Sequence, residues 1–170
     1  ICGGYQMLGK KLLDPDGVEG NVPQAEGLGL IDAVTVMESE KVTSQSEAVV
    51  RGGALEWYGD RGILEGYEIH MGRTTLGEGV TPLLELRRKG SGEWHKDGAV
   101  SSDGRVFGTY LHGIFDNDDF RSSLLALHRG EEVSAVSFKA KKEEGYEKLA
   151  AYLRDVLDME AIKGIIDAGA

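Results

Sequence analysis

Cys2 stands directly before Gly3-Gly4 and a helix-tolerant run from Tyr5 to Leu13. A side chain held on a sharp strand-to-helix turn needs small neighbours, because the backbone there is strained and another segment passes close by. The spacing fits a nucleophile elbow, in which a strand enters before the thiol and a helix leaves after it. The N–H groups at the start of such a helix favour negative charge on the sulfur. A lone cysteine acting as a small buried hydrophobe fits the same residues.

The rest of the chain reads as short elements around tight turns, since 25 Gly stand against 3 Pro, and a compact mixed fold follows. Asp14-Pro15-Asp16-Gly17 stops the first helix with turn chemistry. Leu28 to Met37, Val42 to Val50, Glu68 to Thr75, Leu83 to Arg87 and Val106 to Leu111 are β-branched or alternating runs bounded by Gly, Asp or Pro, and are predicted strands with antiparallel or mixed pairing. Asp119 to Leu127 is a predicted helix with Phe120, Leu124 and Leu127 on one stripe, and Glu143 to Leu157 another, its stripe of Tyr146, Leu149 and Leu153 serving packing. With 170 residues the chain has room for one domain, spanning 1–170.

A formal net charge of −10 argues against nucleic acid and anionic membrane surfaces as partners, and no apolar run is long enough to span a bilayer. One cysteine excludes an internal disulfide and a Cys-rich zinc site, so no metal is expected and the cytoplasm is the expected compartment. The chain opens at Ile1 with a motif already in progress, which places the natural N-terminus upstream.

A cysteine nucleophile needs a base, and the histidines are His70, His95, His112 and His128. His112 is the first candidate, at the C-terminal end of a predicted strand and beside Gly113, where open α/β sheets place catalytic groups. The same position suits a hydrogen-bonded strand-end histidine. His95 reads as a solvated loop residue, and His128 as the cation of a helix C-terminus. Around His70, period-two alternation sets Glu68 and His70 on one face and Tyr67, Ile69 and Met71 on the other, so the polar face either lines a site or meets solvent.

Ile1-Cys2-Gly3-Gly4-Tyr5-Gln6-Met7-Leu8-Gly9, Gly66-Tyr67-Glu68-Ile69-His70-Met71-Gly72 and Gly108 to Asn117, in that order, resemble the class I glutamine amidotransferase domain of cobyric acid synthases. Glu19-Gly20 and Gly27 to Asp32 match the layout between the first two motifs. The resemblance implies a flavodoxin-like α/β sheet with flanking helices whose N-terminal strands lie outside this chain. It implies Cys2 as the nucleophile that forms a glutamyl thioester and releases ammonia, and His112 as general base and acid. It places the Gly3 N–H in the oxyanion hole and Gln6 against the substrate glutamine. A position two residues after the histidine carries Glu in triad-type relatives and is Ile114 here, so Glu68, Asp116 or His70 is expected to orient His112, Glu68 first. The implied partners are glutamine and, through an upstream synthetase domain, a corrinoid; no cofactor belongs to this chain, while ATP and Mg belong to that domain. The chain by itself is then expected to be inactive. A glutaminase subunit that amidates lipid II glutamate shares the elbow and the Thr-Tyr-Leu-His-Gly stretch, and a non-catalytic amidotransferase-like interaction domain is a further reading.

Overall fold

The computed structural model describes residues 1–50, 54–134 and 136–169. The chain divides into two compact units, Ile1–Ser134 and Ala135–Ala170. In the first, α1 (Gly3–Leu8) leads to β1 (Lys11–Leu13), β2 (Gln24–Glu26), β3 (Ala33–Val50), β4 (Leu64–Leu76), β5 (Leu84–Arg88) and β6 (Trp94–Asp97). Then come β7 (Ala99–Val100), β8 (Phe107–Gly108), β9 (Leu111–His112), a 3-10 helix Ile114–Asp116 and α2 (Asp118–Arg129). This is the mixed α/β class, a central sheet with flanking helices.

The central sheet has 7 strands in the order β2-β1-β3-β4-β9, with β5 on the far half of β3 and β6 on β5. β1 runs parallel to β3, and the remaining neighbours are antiparallel. The two predicted strands Leu28 to Met37 and Val42 to Val50 are one strand. Residues 28–32 lie before it, and the 38–41 stretch is an irregularity in its pairing with β4, where the register shifts between Met37 and Val42. A bulge bends a strand without ending its ladder, so polar residues there do not interrupt β3.

The first helix is shorter than predicted and ends at Gly9. A Cβ at Gly9 would collide with the Ala33 carbonyl oxygen, and the Lys10 N–H donates to that same oxygen at 2.8 Å. The chain thus leaves the helix to join β3, and residues 11–13 become strand because a partner edge outcompetes their local helix tolerance. Val106 to Leu111, predicted as one strand, divides between two sheets: β8 pairs with β7, and β9 with β4. His95, expected as a solvated loop residue, lies in β6 and pairs across to Leu86.

Leu64, Leu84, Leu86, Leu111, Ile114 and Phe120 form the main core, and Tyr5, Ile31, Ala33, Ala99 and Tyr110 a second cluster beneath α1. Of the stripe predicted for α2, Phe120 is fully buried whereas Leu127 is 52% exposed. The 135–170 unit consists of α3 (Phe138–Val156) and α4 (Met159–Asp167), capped by the Ser137 and Asp158 side chains. Neither helix buries a residue, so the stripe predicted for α3 is not a core face of that unit.

Candidate active site

Cys2 has φ 52 and ψ −121, and it is the one positive-φ non-glycine residue among those described. Such a backbone is costly for an L side chain and persists where neighbours over-determine it. The neighbours are visible: the Cys2 N–H donates to Thr109 O at 3.0 Å, its carbonyl accepts the Gln6 N–H at 3.0 Å, and its Sγ donates to Ile69 O at 3.4 Å. The elbow is therefore tied to β4 and to the segment between β8 and β9. Gly3 opens α1, so its N–H has no acceptor within the helix.

His112 pairs with Tyr67 across β9 and β4, and the two rings stack at 5.1 Å with planes 13° apart. Its Nε2 is buried and has no hydrogen-bond partner. A buried ring nitrogen left unpaired is costly in a framework residue and is what a proton-transfer group needs. The β4–β9 end of the sheet thus carries both groups, Cys2 beside Ile69 and His112 opposite Tyr67, with no hydrogen bond between them. A pocket of about 560 Å³ opens at the cysteine, bordered by Gly3, Gln6, Glu19, Lys41 and Ile69.

Glu68 does not orient His112, contrary to the sequence expectation. The alternation holds, but with the polar face inward: Glu68 is 2% exposed and Tyr67 39%. Arg88 donates to its carboxylate at 2.7 Å, His70 Nε2 lies 3.2 Å away, and Ser46 Oγ 3.4 Å. β3, β5 and β6 supply partners on that side, which is why a charged residue can occupy it. His70 joins the Glu68 cluster, with Nδ1 at 2.8 Å from Gly72 O, and its ring stacks 3.9 Å from Tyr110. His70 borders both the Cys2 pocket and a pocket of about 590 Å³ that contains Glu68, Arg88 and His95. Asp116, the other acid expected as a candidate orienter, is exposed and makes no hydrogen bond to His112 Nε2. The ring that does lie against His112 is Tyr67, which the period-two pattern had already put on the face opposite Glu68.

Gln6 borders the Cys2 pocket but is buried, and its side-chain Nε2 donates to Tyr110 OH at 3.2 Å. That OH also meets Thr74 Oγ1 at 2.7 Å. The pocket's loop wall is braced by Asp14, which accepts the N–H groups of Val18, Glu19 and Gly20 at 2.7, 2.9 and 3.2 Å. Those bonds, that of Glu19 foremost, hold the Asp14 carboxyl below the usual range. Glu19 and Lys41 border the pocket without an ion-pair partner among the described residues. Glu19 belongs to the Glu19-Gly20 stretch that carries the resemblance, whereas Lys41, which no motif marks, reaches the pocket from the β3 irregularity. Among the described residues no group of three His, Cys, Asp or Glu side chains is arranged to hold a metal ion, and no helix is long and apolar enough to cross a membrane.

Residues 1–120 match the CobB/CobQ-like glutamine amidotransferase domain family. The chain belongs to that family. It is similar to the cobyric acid synthases of Listeria welshimeri (42% identical over 98% of this chain), Geobacillus thermodenitrificans (42% over 96%) and Brucella anthropi (44% over 95%). It spans about a third of the length of these relatives: 32%, 31% and 31%. The chain is thus a CobB/CobQ-like glutamine amidotransferase domain.

Proposed function

We propose that this domain hydrolyses glutamine and supplies the ammonia with which a cobyric acid synthase amidates corrinoid carboxylates, the ATP- and Mg-dependent activation lying outside this chain. The observation that carries the reading is the strained elbow, because a non-glycine φ of 52 at the sole cysteine has no use in a framework residue.

In this reading the Cys2 sulfur attacks the side-chain amide carbon of glutamine, and His112 takes the thiol proton. The developing oxyanion meets the Gly3 N–H. Collapse breaks the C–N bond, with His112 returning the proton to the departing ammonia and leaving a glutamyl thioester on Cys2. Water, deprotonated by His112, then cleaves the thioester to glutamate and regenerates the thiol. Glu19 and Lys41 give the zwitterionic end of an amino acid a carboxylate and an ammonium to meet. Tyr67 fixes the imidazole plane by stacking, in the place of a carboxylate orienter. Gln6 serves the pocket through Tyr110 instead of donating its amide to substrate.

The test compares glutamine- and ammonia-dependent amidation by the complete protein. Cys2→Ala is expected to abolish the first and spare the second, and His112→Ala to slow the first by about 10²-fold or more, the usual loss with a general base. Lys41→Met is expected to raise KM for glutamine. A His95→Ala variant as slow as His112→Ala, or a Cys2→Ala variant that still uses glutamine, would overturn the assignment.

A further inference from the structure

Asp97 closes β6 and is 7% exposed. The Thr109 hydroxyl donates to it, and the Tyr110 N–H reaches its carboxylate oxygens at 3.2 and 3.3 Å. No Lys, Arg or His among the described residues pairs with it; burial, with the Glu68 charge acting in the same direction, pushes its carboxyl up against those hydrogen bonds. A buried carboxylate without a cation is an expensive way to fasten two strands, since an apolar side chain of similar size would pack there at lower cost. Gly98 follows at φ 69, where a Cβ would run into the Gly108 carbonyl oxygen, so the turn lays backbone against backbone and delivers Asp97 to residues 109 and 110.

What those residues carry gives the carboxylate its purpose. Thr109 Oγ1, besides donating to Asp97, accepts the Leu111 N–H at 2.9 Å, so Asp97 holds residues 109 and 110 and the Thr109 hydroxyl holds 111. Thr109 O is the acceptor of the Cys2 N–H, and His112 follows Leu111 directly. The stretch that holds the strained elbow at one end and the imidazole at the other is thus pinned at every residue between by Asp97 and the hydroxyl it orders.

We infer that Asp97, acting through Thr109, is a positioning residue that sets the thiol of Cys2 and the ring of His112 in mutual register. The inference rests on the reading of those two residues as nucleophile and base. A carboxamide at 97 keeps the volume but replaces one oxygen by an NH2, and because the Tyr110 N–H reaches both oxygens, that NH2 meets it donor against donor in either orientation. The elbow is then free to relax from its positive φ, and the imidazole shifts with the 109–111 segment.

In the complete protein, Asp97→Asn and Thr109→Val are expected to lower kcat for glutamine hydrolysis by about 10²-fold, the scale of a displacement near 1 Å, with KM for glutamine little changed. Ammonia-dependent amidation should persist, and Thr109→Ser, which keeps the hydroxyl, should retain most of the wild-type kcat. Iodoacetamide alkylation followed on the Cys2 peptide is expected to slow in Asp97→Asn and Thr109→Val but not in Ser46→Ala, a buried hydroxyl in the Glu68 cluster. Unchanged kcat and alkylation in both Asp97→Asn and Thr109→Val overturn the inference. So does a parallel fall of kcat, ammonia-dependent rate and Tm, which marks a framework role. Where Asp97→Asn does not fold, the contrast between Thr109→Val and Thr109→Ser decides. Should Cys2→Ala still hydrolyse glutamine, the nucleophile assignment fails, and the alkylation rates still decide whether Asp97 holds the elbow.

Discussion

Glu68 shows what a single buried charge requires. Burial by itself would raise its carboxyl, but hydrogen bonds from His70 and Arg88, with the charges of Arg88 and His95, outweigh it and hold the group at about 2, below the ordinary 4.5. A carboxyl lowered on folding stabilises the fold fully above its unfolded value, and that contribution drains away as pH falls from 4.5 towards 2. Glu68→Gln should accordingly be less stable than wild type at neutral pH, with the gap between their thermal midpoints closing across that acid window. Midpoint curves that stay parallel down to the acid limit would show that Glu68 is not the group responsible. The sequence disclosed that Glu68 and His70 share a face, because alternation is a local property of a strand. Which face was inside depended on Ser46, Arg88 and His95, residues 22, 20 and 27 positions away along the chain, and no local pattern encodes that.

Among the elements, α2 is legible almost to its ends. Asp118 and Asp119 stand in its first turn, His128 and Arg129 in its last, and Gly130 at φ 72 closes it with its N–H on Ala126 O at 2.8 Å. Its one buried hydrophobic residue is Phe120, whose ring lies 5.1 Å from Tyr58, 5.4 Å from Trp57 and 5.8 Å from Phe115. Phe120→Ala should cost about 3–5 kcal/mol, the usual range for deleting a buried aromatic side chain, whereas Leu127→Ala, on the exposed side, should cost little. Denaturant midpoints of the two variants compare them directly, and equal losses would mean that the stripe is buried as a whole. By contrast β8 and β9 were not separable in the sequence. Val106 to Leu111 reads as one β-prone run, and its division at Thr109 and Tyr110 follows from the Asp97 side chain reaching in from another strand.

Across the whole molecule, every buried side chain among the described residues lies at or before Ser123, and the family match ends at residue 120. Both pockets next to β4 are bordered only by residues of the first unit. Ending the complete protein after Ser134 should therefore leave glutamine hydrolysis within about threefold of wild type, as expected of a compact unit that carries its own core. Loss of hydrolysis in the truncated protein, with ammonia-dependent amidation retained, would assign the last helices a part in the site. The relatives named as cobyric acid synthases are about three times as long as this chain.

The elbow at Cys2-Gly3-Gly4, the strand-end His112, the faces of β4 and the two long helices α2 and α3 were all set locally, by steric freedom at glycine, by period and by capping chemistry, and each could be read from the chain in order. The tertiary structure decided the rest: where α1 stops, how residues 106–112 split between sheets, that Glu68 faces Arg88 and not His112, and that Tyr67 takes the place beside the imidazole. These depend on which distant donor reaches which acceptor once the strands are paired. Hydrogen bonds and ion pairs of that kind are fixed by register between segments, and register is a property of the folded sheet that no single stretch of sequence contains.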